Sequence, residues 1–288
     1  MSRWGVLGSD GALGSEFCRL LKRRGEVFAA FDIPLLDITD SARLCETLKH
    51  LSPEIVVNCA AWTNVDGAES NVPASRAVNV EAPGEMACIC GDFGAKLVHF
   101  STDFVFDGGA SSPYSEGSVP NPISEYGRGK LLGEQAVLAG NGDHLVIRTA
   151  WLYGHTGTSF VEKMALLAAE RDELKVVTDQ VGSPTYARDL AEGALALIVA
   201  GGSGLFNFVN AGQASRYELV EEIIRLTGTT CRLVEATTDD FPAPAARPRY
   251  SVLSTEHFTS ATGIEPRGWR EALGDRLCEP IIYEKEIV

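Results

Sequence analysis

Three side chains of the kinds that reduce a carbonyl lie within the stretch 101–130, namely Thr102, Tyr126 and Lys130. A hydride that reaches a carbonyl carbon leaves an alkoxide, and a proton donor must neutralise it. The phenol of Tyr126 has an ordinary pKa of about 10, and a nearby cation lowers that pKa towards neutrality. Because residues i and i+4 share a helix face, the spacing Tyr-x-x-x-Lys places Lys130 beside Tyr126. Thr102 can hold the carbonyl oxygen as a second donor.

The same spacing also describes a Tyr and a Lys on a solvated helix face, so the surrounding elements decide the interpretation. An apolar run, 4–7, leads into Gly-x-x-Gly-x-x-Gly over residues 8–14, and a helical pattern then ends at Gly25. In a dinucleotide fold such glycines let the backbone approach a pyrophosphate that faces the helix N-terminus. A tight turn without a ligand is the alternative. The candidate cofactor-binding residues of this turn are Gly8, Asp10, Gly11, Ala12 and Leu13.

The next predicted strand ends at Asp32, which we expect near the adenosine ribose. A carboxylate there accepts hydrogen bonds from both ribose hydroxyls and repels a 2′-phosphate, so Asp32 favours NADH. Arg23 or Arg24 could flank the same pocket and favour NADPH instead. Asp37 and Ile38, in the following loop, are candidates to line the adenine.

Three further apolar runs, 55–61, 96–101 and 144–149, are predicted to be buried parallel strands. Ligands bind at the carboxyl ends of such strands. Ala60 and Ala61 are small enough there for a flat cofactor to lie close. The polar and aromatic residues that follow these strands therefore converge on one rim, which makes the Tyr-Lys pair a specific signal.

The second half of the chain alternates less regularly. A Pro/Ala loop, 242–248, leads to Arg247 and Arg249, which could bind a phosphate bidentately or form a surface ion pair. We predict an α/β protein with a Rossmann-type doubly wound parallel sheet. Residues 1–153 are expected to form the NAD(P)-binding domain, completed by segments near 176–210, and residues 154–288 a smaller, discontinuous substrate-binding lobe.

Composition excludes several classes of partner. The net charge of −14 and the pI of about 4.8 argue against nucleic acid and anionic membranes. Seven scattered cysteines without a C-x-x-C pair indicate reduced thiols and a cytoplasmic protein. Five dispersed histidines form no metal-ligand cluster, so no structural zinc is expected. No apolar run reaches the length of a signal peptide or membrane span.

Over nearly its whole length the chain resembles the extended short-chain dehydrogenase/reductase superfamily and, within it, the dTDP-4-dehydrorhamnose reductase family. The motifs that carry the resemblance are the glycine loop 8–14, the segments 57–69 and 101–106, Tyr126 with Lys130, and the segments 148–153, 179–185 and 247–253.

The resemblance implies hydride transfer from NADPH or NADH to C4 of dTDP-4-dehydro-6-deoxy-L-mannose, giving dTDP-L-rhamnose. It assigns catalysis to Thr102, Tyr126 and Lys130, with Tyr126 as the proton donor. Asp103 and Trp151 would touch the sugar or its nucleotide. The resemblance also allows a homodimer with Mg²⁺ at its contact, for which the sequence identifies no ligands. It further implies that Thr63 binds the cofactor and that Val65 lines the substrate pocket, which Phe104 and Arg247 are also expected to reach.

Three departures from the family pattern concern the substrate. Trp62 stands where His is frequent, Phe104 where Tyr is frequent, and Tyr250 where Asn is frequent. A 4-ketoreductase for another deoxysugar nucleotide therefore stays open.

Three rival functions share the fold. A 4,6-dehydratase would carry Glu at position 104, where this chain has Phe. An epimerase would keep Tyr126 and Lys130, but the run 103–106 and Trp151 favour a reductase. A non-catalytic regulatory subunit would not need all three catalytic side chains.

Overall fold

A computed structural model describes residues 3–140, 142–156 and 159–278 of the chain. The strands are β1 Arg3–Leu7, β2 Val27–Phe31, β3 Ile55–Asn58, β4 Lys96–Thr102, β5 Leu145–Thr149, β6 Leu152–Tyr153, β7 Glu173–Val177, β8 Val181–Gly182, β9 Thr185–Tyr186, β10 Gly204–Asn207, β11 Ala214–Ser215 and β12 Arg232–Ala236. The helices are α1 Ala12–Arg24, α2 Ser41–Leu51, α3 Val65–Ser70, α4 Val72–Arg76, α5 Ala82–Asp92, α6 Glu125–Leu138, α7 Phe160–Glu170, α8 Ala187–Val199, α9 Arg216–Thr227, α10 Glu256–Thr262 and α11 Trp269–Cys278.

Six strands form a parallel sheet in the order β2-β1-β3-β4-β5-β10. The order reverses between β1 and β3, where the connections on either side leave the sheet in opposite directions. In a sheet of this kind the ligand cleft opens at that reversal, beyond the carboxyl ends of the strands. The predicted α/β doubly wound parallel sheet is confirmed.

Helices cover both faces of the sheet, which explains why its strands are continuous apolar runs. On one face α1 and α8 pack over a core that includes Phe17, Leu190 and Phe206. On the other face α2 and α5 enclose Leu44 and Met86. The strands are thereby held rigidly, and their carboxyl ends give fixed positions to the residues that follow them.

Residues after β5 contribute to both parts of the molecule. β10 pairs with β5 and becomes the last strand of the large sheet. β7 and β12 pair in parallel in a separate two-stranded sheet, next to which α7 packs against α9. The division at residue 153 stays a prediction, because the chain returns to the sheet beyond that point.

β3 is shorter than the predicted run 55–61. It ends at Asn58, whose side-chain oxygen accepts a hydrogen bond from the Ala60 N–H at 3.1 Å. This local bond takes the place of a sheet partner and turns Ala60 and Ala61 out over the edge of the sheet. Along the helices of the described ranges, no stretch is both long and apolar enough to cross a membrane.

Candidate active site

The glycine turn between β1 and α1 is shaped by two close backbone approaches. Gly8 has a φ of 74°, and a Cβ there would lie 2.5 Å from the Ala60 nitrogen at the end of β3. A Cβ on Gly14 would lie 2.0 Å from the Gly8 oxygen. Any larger residue at either position would separate β1 from β3 or α1 from the turn.

The N-terminus of α1 fits a pyrophosphate. Gly11 starts the helix without a side-chain cap, so the first amides of α1 have no partner within the helix. A Cβ on Gly11 would meet only the Gly8 oxygen, at 3.5 Å. Free amides, the positive end of the helix dipole and this open space together suit the diphosphate of a dinucleotide.

Carboxylates surround the place expected for the adenosine. Asp32 accepts hydrogen bonds from the Asp10 N–H at 2.9 Å and the Ile33 N–H at 2.8 Å. Asp37 accepts from Thr39, and these hydrogen bonds lower the pKa of the Asp37 carboxyl. Of the two alternative cations, Arg23 pairs with Glu192 at 3.4 Å, and neither Arg23 nor Arg24 lines the cleft.

The cations along the described part of the cleft are Lys130, Arg216 and Arg247. None of these three side chains forms a hydrogen bond or an ion pair with Asp32 or Asp37, the carboxylates at the adenosine end. The geometry at this end therefore suits ribose hydroxyls better than a phosphate group.

Tyr126 and Lys130 lie on the first two turns of α6, which begins at a side-chain cap. Ser124 accepts a hydrogen bond from the Gly127 N–H at 3.1 Å. A Cβ on Gly127 would lie 2.2 Å from the Phe104 oxygen, so glycine lets α6 approach the end of β4. This approach places Tyr126 and Thr102 in the same cleft.

Burial controls the protonation of these groups. It lowers the pKa of Lys130 to about 8, against the opposing field of Glu134, while Lys130 donates to the Phe100 carbonyl at 2.6 Å. Burial raises the pKa of Tyr126 to about 12, and the nearby Thr102 hydroxyl only partly offsets this rise. The expectation that Lys130 lowers the pKa of Tyr126 is not met in this structure, because desolvation of the phenolate and the charge of Asp103 both raise that pKa. Tyr126 is instead a reliably protonated donor, and an alkoxide is basic enough to take its proton.

Trp151, Arg216 and Phe160 form a stack beside the catalytic side chains. The Arg216 guanidinium lies 3.5 Å from the centre of a Trp151 ring and 4.6 Å from that of Phe160. Burial lowers the pKa of Arg216 to about 9, partly opposed by Asp103. Trp151 has a φ of 46°, and a Cβ on Gly182 would lie 2.4 Å from its ring. The stack is thus held from several segments and presents a cation to the cleft.

Sequence reasoning missed Arg216, because no local motif marks it. It is the first residue of α9, and only its position against Trp151 and Phe160 reveals it.

Arg247 lines the cleft but is already paired. It donates to Asp66 at 2.7 Å and to the Ala245 carbonyl at 2.8 Å, and these contacts hold the 242–248 loop against α3. Of the two interpretations left open by the sequence, the ion pair is the one that this structure contains. Arg249 is exposed and does not line the cleft, and Tyr250 donates to Gln213 outside it.

One cleft of about 1160 Å³ is lined by most of the candidate site residues that the sequence identified, but not by Arg23, Arg24 or Arg249. From the cofactor candidates it is lined by Gly8, Asp10, Gly11, Ala12, Leu13, Asp32, Asp37, Ile38, Ala60, Ala61, Thr63, Tyr126 and Lys130, and from the substrate candidates by Val65, Thr102, Asp103, Phe104, Trp151 and Arg247. Their individual roles stay predictions. Within the described residues, no group of three or more His, Cys, Asp or Glu side chains is arranged to hold a metal ion.

A parallel sheet with a glycine turn at its reversal point, beside a Thr, a Tyr and a Lys in one cleft, defines an extended short-chain dehydrogenase/reductase. Residues 3–280 match the family model described as the RmlD substrate binding domain, and the chain belongs to that family.

Named relatives agree with this placement. The chain is 43% identical to a dTDP-4-dehydrorhamnose reductase of Streptomyces griseus over 94% of its own length and 91% of the relative. It is 41% identical to a dTDP-4-keto-6-deoxy-D-glucose reductase of Streptomyces niveus, over 94% of this chain and 95% of the relative. The crystal structure of dTDP-4-dehydrorhamnose reductase from Bacillus anthracis, in complex with NADP, superposes with a TM-score of 0.94 at 34% identity, covering 97% of this chain and 99% of that one.

Proposed function

We propose that this protein reduces the C4 ketone of dTDP-4-dehydro-L-rhamnose to dTDP-L-rhamnose with NADPH or NADH. The observation that carries the proposal is that Thr102, Tyr126 and Lys130 meet in the same cleft as the uncapped N-terminus of α1. The named relative of Streptomyces griseus supports the substrate, and the complex of the Bacillus anthracis enzyme with NADP supports the cofactor.

The bound nicotinamide would supply the hydride, and the side chains of this chain do the rest. Thr102 holds the ketone oxygen. Tyr126 donates the proton that the resulting alkoxide needs, and Lys130, still mostly protonated near neutral pH, stabilises the phenolate that Tyr126 leaves behind. One hydride and one proton add to the ketone, and an alcohol results.

A 4,6-dehydratase of the same fold would need a base that this chain lacks. Elimination of water needs a base after Thr102 and Asp103, and Phe104 instead packs edge-on against Tyr126 with ring centres 5.6 Å apart. A purely regulatory role would leave the assembled Thr102, Tyr126 and Lys130 without a purpose.

A second substrate is supported by a specific observation. The relative of Streptomyces niveus is named for a different dTDP-4-keto sugar at nearly the same identity. Trp62 and Phe104, which depart from the family pattern, both line the cleft. A change of deoxysugar would leave the catalytic side chains as they are and would alter only the contacts with the ring.

The deciding experiment follows oxidation of NADPH and of NADH with enzymatically prepared dTDP-4-dehydro-L-rhamnose and identifies the product by mass spectrometry and NMR. Formation of dTDP-L-rhamnose is the expected result. Turnover only with another dTDP-4-keto sugar would move the protein to a different deoxysugar pathway, and oxidation with none of them would refute the enzymatic proposal.

Replacing Asp32 with Ala should shift the cofactor preference towards NADPH by roughly 10-fold, the equivalent of about 1.4 kcal/mol. The reason is that the variant loses both the acceptor for the ribose hydroxyls and the charge that repels a 2′-phosphate. The ratio of kcat/KM for the two cofactors measures the effect. Asp92→Ala removes the same charge from the end of α5, away from the cleft, and should leave that ratio unchanged. An unchanged ratio in Asp32→Ala would assign ribose recognition to another residue.

Replacing Trp151 with Ala should raise the KM for the nucleotide sugar by roughly 10-fold, because the Arg216 guanidinium loses one of the two aromatic rings on which it stacks. The Kd of the cofactor, measured by fluorescence titration, should change little. Equal weakening of both ligands would place Trp151 outside the sugar part of the cleft.

We further propose a cytoplasmic location, which the seven free thiols support. A homodimer with Mg²⁺ at its contact is part of the same proposal. Light scattering with and without a chelator tests it.

A further inference from the structure

Hydrogen bonds between buried hydroxyl and carboxyl groups connect Thr102, in the cleft, to Ser251 in the second lobe. Thr102, which lines the cleft together with Tyr126, donates to Asp103 Oδ1 at 3.0 Å. Ser251 donates to the other oxygen, Oδ2, at 2.5 Å. Asp103 and Ser251 are each 2% exposed, so both are shielded from water. The mechanism described so far uses only the Thr102 end of these hydrogen bonds.

The hydroxyl of Thr102 carries one proton, and Asp103 decides where that proton points. Thr102 already accepts from the Phe104 N–H at 3.2 Å. An ionised Asp103 can only accept, and it therefore takes the Thr102 proton. A protonated Asp103 can donate to Thr102 instead, which frees the Thr102 proton for a ketone oxygen.

Ser251 determines which oxygen of Asp103 is free for that proton. Its hydroxyl occupies Oδ2, and its backbone N–H is fixed separately to the Val181 carbonyl at 2.8 Å. A proton on Asp103 is therefore placed on Oδ1, the oxygen that faces Thr102.

The charged and titratable groups that face Asp103 are Arg216 from α9 and Tyr126 from α6. Burial raises the pKa of Asp103 to about 6, and the Ser251 and Thr102 hydrogen bonds and Arg216 oppose that rise. Both protonation states are thus accessible near neutral pH.

We propose that Asp103 and Ser251 are positioning residues, in which protonated Asp103, held by Ser251, turns the Thr102 hydroxyl towards the ketone oxygen. This inference rests on the proposed reduction and extends it, because it makes the donor role of Thr102 depend on pH. No covalent step is involved. Ionisation of Asp103 turns the Thr102 proton away and slows reduction.

The test is the pH dependence of single-turnover reduction at saturating cofactor and nucleotide sugar. The wild-type rate should fall as the pH rises through the pKa of Asp103, and a second fall at higher pH is expected from Lys130. Asp103→Asn should remove the first fall and leave the second. Its amide oxygen accepts from Ser251 while its amide nitrogen donates to Thr102 at every pH. At low pH its rate should stay within about 10-fold of the wild type.

The Ser251 variants test the same inference without altering Asp103. Ser251→Ala removes a donor that stabilises the ionised carboxylate, so the first fall should move to higher pH, and Ser251→Thr should restore it. Ser254→Ala, a nearby serine whose hydroxyl accepts from the Glu256 N–H, is the matched control and should keep the wild-type profile. The inference would be overturned if the rate of Asp103→Asn still fell at the lower of the two wild-type pH values. It would also be overturned if that fall in rate occurred at the same pH in Ser251→Ala as in the wild type.

A second measurement separates this inference from the proposed function. Infrared spectra of the wild type and of Asp103→Asn are recorded from about pH 5 to 9, and the second is subtracted from the first. The carboxylic acid band in the difference spectrum reports the protonation of Asp103 without any turnover. Wild type that oxidises no cofactor would refute the proposed reduction alone. Absence of a titrating acid band would refute the positioning role whatever the enzyme reduces.

Discussion

Replacing Tyr126 with Phe is expected to lower kcat by roughly 10²–10⁴-fold, the usual contribution of a positioned general acid. The variant keeps the ring and its edge-on contact with Phe104, and it loses only the hydroxyl that donates the proton. Binding of the cofactor should be nearly unchanged, since the uncapped end of α1 and the carboxylates beyond it are untouched. Stopped-flow absorbance of NADPH or NADH under single-turnover conditions measures the chemical step directly.

Tyr217→Phe provides the matched control for that substitution. Tyr217 follows Arg216 on α9 but does not line the cleft, so removal of its hydroxyl should leave the rate within about 2-fold of the wild type. A Tyr126→Phe enzyme with an unchanged rate would exclude Tyr126 as the proton donor. Loss of cofactor affinity in place of rate would assign the hydroxyl to binding.

Local chemistry explains which parts of this site are readable from the sequence. Gly25 ends α1 in the left-handed conformation, and Asp40 caps α2 by accepting from the Arg43 N–H, so both boundaries follow from neighbouring residues. Tyr126 and Lys130 are four residues apart on one helix, and their proximity needs no knowledge of the fold. The shared edge at which the strands end is also predictable, because the carboxyl ends of parallel strands lie together, although β3 ends at Asn58, before the end of the predicted run 55–61.

Contacts between distant segments could not be predicted in the same way. Arg216 faces Trp151 from 65 positions later in the chain, and Ser251 reaches Asp103 from 148 positions later. Within their own segments, Arg216 and Ser251 are residue types that commonly lie on protein surfaces. Only the tertiary fold, which places Arg216 against Trp151 and Ser251 against Asp103, brings these residues to the site.

Electrostatic shifts were the other part that the sequence did not reveal. The spacing of Tyr126 and Lys130 suggested a lowered phenol pKa, whereas burial raises it. Burial is a property of the whole fold, and a pattern of five residues does not contain it. The same reasoning applies to Arg247, whose partner Asp66 lies 181 positions earlier in the chain.

A buried ion pair joins the catalytic helix to the sheet. Arg148 on β5 donates to both oxygens of Glu134 on α6, at 2.8 and 2.7 Å, and each side chain is 2% exposed. Arg148 also lies over the Phe106 ring, 5.1 Å from its centre. Glu134 is one helical turn beyond Lys130, and its charge raises the pKa of that amine. The pair therefore holds α6 in place and affects the catalytic cation.

Glu134→Gln should lower the free energy of unfolding by about 3–5 kcal/mol, because it leaves the Arg148 guanidinium buried without its counter-charge. Urea denaturation followed by circular dichroism measures the loss. The same variant should shift the Lys130-dependent fall in rate to lower pH, since the field that raises the pKa of Lys130 is gone. A variant as stable as the wild type would show that water or a rearranged side chain satisfies Arg148.

The double variant Glu134→Met with Arg148→Met distinguishes two contributions to the free energy of unfolding. One is the destabilisation by a buried charge without a partner, and the other is the net stabilisation by the ion pair. Apolar side chains of similar volume leave no buried charge, so the double variant should be more stable than Glu134→Gln alone. Arg232→Met is the control, because Arg232 pairs with Glu173 at the surface and its loss should cost at most about 1 kcal/mol. A double variant less stable than the single one would mean that the charges themselves stabilise the junction of α6 and β5. In that case Glu134 and Arg148 would contribute to stability as well as to the position of Lys130.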